Sequence, residues 1–286
     1  MLKKIQGSLA YRLPAIYRQL LRFKNIKPIA SKKGSDITIL SMTGKHFINM
    51  TRLSLESIAK TWSSIPNLII TSDETISIEQ IKKNLAFWPG ELKVESWEET
   101  ATYHRKKNRM ALLQYGDAHP FGKKLAIILR HAETGPVIWI DSDILFFNDF
   151  TPFIPQPVTG FACGGTEDFT AAYHEAVVKK FNCNLYELYQ FNAGLLYVSG
   201  QNIYEDFKLE DVLETIHPEY DFCTEQTIFA YIASKSIGIL WPATCIKNFN
   251  TDNQQVSPMP VDNDTIARHY TSNIRHLFWR DAFLNL

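Results

Sequence analysis

The sequence predicts a doubly wound α/β fold, an α/β/α sandwich around a mostly parallel central sheet. Three observations predict it: short apolar runs alternate with segments of helical periodicity, one of these runs is apolar throughout, and neither a repeat nor a low-complexity linker follows residue 34. The 286 residues suffice for one large domain. We place that domain at residues 35–286, behind a basic leader of residues 1–34.

The leader holds nine lysines and arginines and no acidic residue, so the zero net charge of the chain divides into +9 for the leader and −9 for the rest. Its apolar residues recur at helical spacing: Ile5, Leu9, Leu13, Ile16, Leu20 and Phe23. Pro14 suits the first turn of a helix over residues 14–25. Three interpretations stay open: a helix that contacts an anionic membrane surface, a helix packed on its own domain, and an organellar targeting peptide.

Composition excludes several classes of protein. The balanced charge argues against a nucleic-acid binder. No stretch of the sequence reaches the ~18 apolar residues that span a bilayer. The four cysteines are too widely spaced for a zinc site or a redox pair, so we expect reduced thiols. We therefore predict a cytoplasmic protein, either free or peripheral on the cytoplasmic face of a membrane.

The first half of the domain begins with a strand at Ser35–Met42, an apolar run that is rich in β-branched residues and closed by Thr43-Gly44. Residues 49–64 follow with helical periodicity. Leu68–Thr71, just after Pro66, predicts a second short strand. Leu92–Val94 predicts the start of a third.

The second half contains the clearest signals. Apolar side chains at i, i+3, i+4 and i+7 predict a helix over about 121–133, which ends near Gly135-Pro136. Val137–Ile140 is apolar at every position, as in a parallel strand buried on both faces. Parallel sheets of this kind bind ligands at the carboxyl ends of their strands.

At that end of the buried run lies Asp141-Ser142-Asp143. In an extended chain the two carboxylates would point to the same side, with Ser142 pointing away. A pair of carboxylates next to apolar walls favours a hard divalent ion such as Mg²⁺ or Mn²⁺, which could neutralise a diphosphate leaving group. The alternative is a polar turn between two apolar strands.

The segment VIWIDSDILFFND resembles the D-x-D segment of nucleotide-sugar-dependent glycosyltransferases of the GT-A fold. Three further segments narrow the resemblance to family 8, the retaining group that includes glycogenin and bacterial galactosyltransferases. They are Phe191–Leu196 (FNAGLL), the dipeptide Glu225-Gln226, and His269–Arg275 (HYTSNIR). The resemblance covers residues 36–280 and implies a Rossmann-like sandwich. The sequence departs from the family pattern at Glu225, where aspartate is more usual, at Ser272, where it has glycine, and at Arg275, where it has lysine.

The resemblance implies metal-dependent transfer of a sugar from a nucleotide-diphosphate sugar, most typically a UDP-sugar, to a hydroxyl of a glycan or lipid-linked acceptor. It implies retention of configuration. The implied ligands of Mn²⁺ or Mg²⁺ are Asp141, Asp143 and His269. The implied catalytic residues are Glu225, Gln226 and Asn192. The nucleotide-sugar-binding residues are Thr43, Lys124, Asp141, Ser142, Asp143, Gly194 and Arg275.

Individual roles follow from the same resemblance. Lys124, 17 positions before Asp141, and Arg275 would neutralise the departing diphosphate. Asn192 would contact sugar hydroxyls, and Gly194 would let the backbone approach the ligand closely. Thr43 is a nucleoside contact by its position alone.

Other functions stay open. If the reaction inverts configuration, a carboxylate should act as base toward the acceptor, and Asp168 or Glu167 could do so. A catalytically silent protein that binds sugar nucleotides or glycans is a second alternative. A haloacid dehalogenase-type phosphatase is a third, although Asp141 lies mid-chain and Leu145 occupies the fourth position after it, where that family prefers Thr or Val.

Overall fold

The computed structural model describes residues 15–21, 24, 33–156, 160–236, 238–248, 261, 264–271 and 274–286. Most of the predicted leader lies outside these ranges, including Pro14 and the apolar residues before it. Ser272 and Asn273 of the C-terminal motif also lie outside them.

Two sheets organise the described part of the chain. The seven strands of the larger sheet are β1 (Lys33–Thr43), β2 (Ser64–Ser72), β3 (Leu92–Glu95), β4 (Val137–Ile140), β6 (Ala162–Glu167), β7 (Phe191–Ser199) and β8 (Ile239–Trp241). Their order is β3-β2-β1-β4-β7-β6-β8. Neighbouring strands are parallel except that β7 is antiparallel to both β4 and β6. The smaller sheet consists of β5 (Ile144–Phe146), β9 (Ile246–Asn248) and β10 (Ala267–His269), in the order β5-β10-β9.

Helices cover both faces of the larger sheet. They are α1 (Ile48–Thr61), α2 (Ile78–Asn84), α3 (Trp97–Lys106), α4 (Met110–Ala118), α5 (Pro120–Ala132), α6 (Glu175–Phe181), α7 (Leu185–Leu188), α8 (Ile203–Asp206), α9 (Leu209–Ile216), α10 (Thr224–Lys235) and α11 (Leu277–Asn285). A 3₁₀ turn occupies Thr151–Phe153.

The alternation of side chains along the strands divides the core into two layers. Leu40 and Trp139 pack with α4, α5, α9 and α10 in one cluster. Ile39 and Ile138 pack with α1 and α2 in the other. Successive strand residues therefore face opposite helical layers, which is the predicted α/β/α sandwich with a mostly parallel sheet.

The predicted elements of the first half are confirmed with shifted ends. The helix expected at residues 49–64 ends at Thr61, because Trp62 turns to extended backbone at φ −71°, ψ 140° while its N–H still bonds to the Ile58 carbonyl. The buried indole of Trp62 thereby packs beneath the sheet, 5.2 Å from the ring of Phe146. The next strand begins already at Ser64.

The described part of the leader packs on the C-terminal helix. Residues 15–20 are helical. The ring of Tyr17 lies 5.6 Å from that of Phe283, and the guanidinium of Arg18 lies 4.7 Å from the Trp279 ring. Lys24 donates from Nζ to the Phe283 carbonyl at 2.6 Å. This agrees with a helix packed on its own domain, one of the three interpretations of the leader.

Among the residues that the structure describes, no helix has the length and apolar character needed to cross a membrane. All four cysteines are free, as expected, and Cys163 and Cys223 are buried.

Candidate functional site

A cavity of about 560 Å³ opens at the carboxyl ends of β1 and β4, the edge at which the sequence predicts a ligand site. It brings together segments that are far apart in the sequence: the end of β4, the start of α5, the start of β7, the first turn of α10, and β10. Its walls include all but one of the predicted site residues: Lys124, Asp141, Ser142, Asp143, Asn192, Gly194, Glu225, Gln226, His269 and Arg275.

Asp141, Asp143 and His269 form a three-residue cluster in this cavity. One ligand atom from each side chain lies within 4.8 Å of the others. His269 Nε2 is 3.2 Å from Oδ1 of Asp143 and 3.9 Å from Oδ2 of Asp141. The arrangement results from strand register, because β10 pairs antiparallel with β5 and places His269 opposite Ile144, the residue after Asp143.

The backbone of the carboxylate pair differs from the sequence prediction. Residues 142 and 143 form a turn rather than an extended strand, and the Ile144 N–H bonds back to the Asp141 carbonyl at 3.3 Å. The turn is needed because the chain leaves the larger sheet after β4 and enters the smaller one at β5. The two carboxylates converge because the turn brings both of them toward His269.

Asn192 orients the histidine. His269 Nδ1 lies 3.1 Å from Oδ1 of Asn192, which also accepts the Gly194 N–H at 2.9 Å. The Asn192 amide nitrogen donates to Oδ2 of Asp168 at 3.0 Å, so its oxygen is the atom that faces the ring. His269 therefore donates from Nδ1 to Asn192, and its Nε2 faces the carboxylates at hydrogen-bond distance from Oδ1 of Asp143. Burial alone would lower the imidazole pKa, but the charges of Asp143 and Asp141 outweigh it and raise the pKa.

Gly194 has a different neighbour from the one that the sequence suggests. A Cβ at this position would lie 2.2 Å from Cε1 of His269 and 2.6 Å from Nδ1. The missing side chain of Gly194 therefore leaves room for the imidazole of His269. Gly194 affects a ligand only indirectly, through the position of that imidazole.

Arg275 offsets the negative charge of Asp143 in the cluster. Its Nε and Nη2 lie 2.9 Å and 2.8 Å from Oδ2 of Asp143. Burial opposes ionisation of Asp143, but His269 and Arg275 outweigh it and lower the carboxyl pKa. The Arg275 side chain is 47% exposed and lines the cavity, so its guanidinium can still reach a ligand there.

Lys124 is more deeply buried than a lysine that only contacts phosphate would be. It is buried, and Nζ lies 2.7 Å from the Ala193 carbonyl and 3.3 Å from both Oδ1 of Asp141 and Oε1 of Glu225. The lysine thus connects the carboxylate pair to the first turn of α10. Burial raises the pKa of Glu225 to about 7, against the opposing charge of Lys124.

Gln226, the neighbour of Glu225, links two walls of the cavity. Its Nε2 donates to the Ala172 carbonyl at 2.9 Å, and its Oε1 accepts from the Ala193 N–H at 3.4 Å. Both groups of its amide are therefore held at the boundary between β7 and the segment that follows β6.

Of the two carboxylates considered as a base, Asp168 borders the cavity. It accepts hydrogen bonds from the amides of Asn192 and Asn248, each at 3.0 Å. Burial raises its pKa, and the hydrogen bonds from Asn192 and from the Phe169 N–H oppose the rise only in part. Glu167 instead accepts the Ala243 N–H at 2.9 Å and is not part of the cavity wall.

Thr43 is the one predicted site residue outside the cavity wall. Its hydroxyl is buried and lies 2.8 Å from that of Thr51 in α1. Ser41 and Met42, on the same strand, line the cavity in its place.

Sequence reasoning missed several aromatic residues of the wall: Phe47, His119, Phe121, Phe169 and Phe222. His119 caps α5, where its Nδ1 accepts the Phe121 N–H at 3.3 Å. The dipeptide His119-Pro120 just before a helix was the available signal for that position.

No protein-family model and no curated protein matches the sequence. Solved structures do match the fold. Mouse xyloside xylosyltransferase 1 superposes with a TM-score of 0.56 at 13% identity, over 84% of this chain and 99% of that one. The galactosyltransferase LgtC, solved with donor and acceptor sugar analogues, gives 0.56 at 13% identity over 86% and 95%.

A third structure, the bifunctional glycosyltransferase WbbM, gives a TM-score of 0.59 at 10% identity over 88% of this chain. The chain spans only 50% of the length of WbbM. At such identities the likeness establishes architecture and not activity. The predicted fold is confirmed: this chain has the GT-A fold, which it shares with glycosyltransferases such as LgtC and xyloside xylosyltransferase 1.

Proposed function

We propose that the protein is a divalent-metal-dependent glycosyltransferase. It transfers a sugar from a nucleotide-diphosphate sugar, a UDP-sugar in the first place, to a hydroxyl of a glycan or lipid-linked acceptor. The observation that carries the proposal is the cluster of Asp141, Asp143 and His269 at the carboxyl edge of a GT-A sheet. LgtC, which has this fold, was solved with donor and acceptor sugar analogues.

The cluster fits Mn²⁺ or Mg²⁺ by its chemistry. It offers two carboxylates and a neutral imidazole nitrogen whose opposite nitrogen is already hydrogen-bonded, which is the usual support of a metal-ligating histidine. Such an ion would stabilise the negative charge that develops on the departing diphosphate. We assign Asp141, Asp143 and His269 as its ligands.

Residues around the cluster would hold the rest of the donor. Arg275 can turn the free edge of its guanidinium to the diphosphate, and Ser142 lies between the two carboxylates in the cavity wall. Thr43, the predicted nucleoside contact, does not line the cavity. It would influence the nucleoside only by positioning Ser41 and Met42, which do. Lys124 would hold Asp141 and Glu225 in place. Asn192 and Gln226 would face the sugar.

In the transfer, the acceptor oxygen forms a bond to the anomeric carbon while the bond from that carbon to the diphosphate oxygen breaks. The electron pair leaves with the diphosphate. With retention of configuration, as the family resemblance implies, the acceptor proton passes to a leaving phosphate oxygen on the same face. With inversion, Asp168 is the carboxylate placed to accept it.

We also propose a cytoplasmic location, with peripheral contact between the leader and an anionic membrane surface. Ile16 and Leu20 are 51% and 41% exposed on the helical segment, while Tyr17 and Lys24 contact α11. The outward residues are four apart and so share one face of the helix. A basic leader with an uncovered apolar face suits such a surface.

Nucleotide release tests the proposal. Purified protein is incubated with Mn²⁺ and a panel of UDP- and GDP-sugars, with and without candidate acceptors. We expect release from one donor, and at least a ~100-fold loss in Asp143→Ala. Donor binding without turnover would support the silent binding protein instead, and hydrolysis of p-nitrophenyl phosphate would support the phosphatase.

A further inference from the structure

The most exposed large hydrophobic side chain among the described residues lies at the mouth of the cavity. Phe222 is 68% exposed, and its side chain forms part of the cavity wall. Exposing a phenylalanine ring to water forgoes the free energy of burying it. An uncovered ring beside a polar cleft is therefore a candidate contact for a ligand.

The backbone on both sides of Phe222 is fixed. The Asp221 N–H donates to Oγ1 of Thr224 at 3.0 Å, and the Cys223 N–H donates to Oδ1 of Asp221 at 2.7 Å. On the preceding side, the ring of Tyr220 packs 4.6 Å from that of Tyr115. The chain therefore presents the ring from a rigid turn, so a ligand that stacks on it orders little additional backbone.

The ring lies on a different element from the proposed metal ligands. Phe222 precedes Glu225 and Gln226 by three and four residues, just before the first turn of α10. The proposed metal ligands are contributed by other elements, the β4–β5 turn and β10. Phe222 thus lines the cavity on the α10 side, next to the residues that we assign to the donor sugar, and an acceptor bound beside that sugar could reach it.

Polar groups accompany the ring. Gln226 and Thr170 line the same cavity, and Thr170 is exposed. A pyranose has this combination of surfaces: its axial C–H bonds form an apolar face, and its hydroxyl groups form a polar rim. An aromatic ring offers a large rigid apolar area at a low cost in side-chain entropy.

We propose that Phe222 is the platform on which the acceptor stacks, and that the acceptor presents a pyranose ring at the point of transfer. This inference rests on the proposed glycosyltransferase function. It makes the acceptor a carbohydrate rather than a simple alcohol or a protein hydroxyl. Phe222 then determines acceptor specificity and takes no part in breaking the donor bond.

The experiment compares Phe222→Ala, Phe222→Trp and a control, Phe153→Ala. Phe153 is also an exposed aromatic residue, 38% accessible, and it is not part of the cavity wall. Two measurements are made on each protein with Mn²⁺ and the active donor. One is donor hydrolysis without acceptor. The other is the acceptor KM for methyl glycosides of common hexoses and for a short-chain alkanol.

We expect Phe222→Ala to raise the glycoside KM about tenfold or more, the usual effect of truncating an aromatic contact residue. Donor hydrolysis should stay within about twofold in the same variant, since no donor contact is lost. Phe222→Trp should restore the glycoside KM, and Phe153→Ala should leave it unchanged. An unchanged glycoside KM in Phe222→Ala, or an equal loss with the alkanol, overturns the proposal.

A binding measurement separates this proposal from the proposed function. In saturation-transfer NMR with UDP and the diamagnetic Mg²⁺, the ring C–H protons of a bound glycoside should receive magnetisation from the wild-type protein, and this transfer should be lost in Phe222→Ala. If this saturation-transfer result is obtained but no donor releases nucleotide, the Phe222 proposal is supported and the proposed glycosyltransferase function is overturned. Nucleotide release with unaltered saturation in Phe222→Ala overturns the platform alone, as does the absence of saturation in the wild-type protein.

Discussion

Nδ1 of His269 lies 3.1 Å from Oδ1 of Asn192, a residue 77 positions earlier in the chain. The same oxygen accepts the Gly194 N–H, so the amide cannot reverse without losing a backbone hydrogen bond. This contact fixes the proton of the imidazole on Nδ1. Its Nε2 faces Asp143, and an ion bound there would take the place of the Nε2 proton.

Replacing Asn192 by alanine should therefore weaken Mn²⁺ binding. Loss of a histidine-orienting partner typically costs about 10- to 100-fold in metal affinity. Titration calorimetry with Mn²⁺ measures the effect. Asn248→Ala is the matched control, because Asn248 donates to Asp168 at 3.0 Å just as Asn192 does. Equal losses in both variants would mean that the effect passes through Asp168 and not through His269.

Gly194→Ala should displace the imidazole. The added Cβ would lie 2.2 Å from Cε1 of His269, and such a displacement of a site residue can cost about 100-fold in turnover. We expect Mn²⁺ affinity and nucleotide release to fall together, measured by calorimetry and by the release assay.

The control for Gly194→Ala is Gly135→Ala, where a Cβ would meet no atom within 4 Å. It should keep wild-type affinity and turnover. Full activity of Gly194→Ala would show that the imidazole can move without loss and is not a required ligand.

Several of these features could be predicted from the sequence and others could not. β4 and the following carboxylates were predictable because a strand buried on both faces is apolar at every position, and the residue that ends it is conspicuous. The antiparallel direction of β7 was not predictable, because the strand is buried almost throughout and its residues would be buried in the same way if it paired in parallel. Local patterns do not encode the register between distant strands.

The candidate site shows the same division. Asp141, Asp143 and His269 were predicted from motifs, and the structure places them together. The close approach of Gly194 to His269 depends on how β7 and β10 meet in space, so the sequence suggested only that the glycine permits close approach. Phe222 was missed because an aromatic residue before a helix usually indicates packing, and only its 68% exposure distinguishes it.

Lys124 should contribute to stability as the shared partner of the buried Glu225 and the partly buried Asp141. Lys124→Met would leave Asp141 and Glu225 without their cation, at a cost of about 3–5 kcal/mol in the free energy of unfolding. Urea unfolding measures it. The double variant Lys124→Met/Glu225→Gln also removes the unpaired carboxylate of Glu225, so it should be more stable than the single variant. If the double variant is no more stable, the lysine does not compensate Glu225.

Glu95, at the end of β3, should make stability depend on acid pH. Burial would raise the pKa of this carboxyl, but hydrogen bonds and charge from His131, Lys93 and Arg130 lower it to about 2. The unfolded chain therefore binds the proton more readily than the folded one. The stabilisation is present above the unfolded pKa, near 4.5, and is lost as the pH falls toward 2.

Glu95→Gln should thus lower the free energy of unfolding at pH 7 by about 3 kcal/mol. The difference from wild type should shrink as the pH falls below 4.5. Urea denaturation between pH 3 and pH 7 measures both proteins. Glu98→Gln, which alters an exposed ion pair with Arg105, should change little at any pH. A difference that is constant with pH would assign the effect of Glu95→Gln to packing.

The leader should bind anionic vesicles through its uncovered face. Ile16→Ser/Leu20→Ser removes the two exposed apolar side chains and leaves the contacts of Tyr17 and Lys24 with α11 intact. Burying about half of each aliphatic side chain in the lipid interface contributes roughly 1 kcal/mol, so the double variant should bind about tenfold or more weakly. Flotation with phosphatidylglycerol vesicles measures binding. Leu188→Ser, which alters an equally exposed leucine elsewhere, should float like wild type. Unchanged flotation of the double variant, or equal binding to neutral vesicles, would contradict a membrane contact at this face.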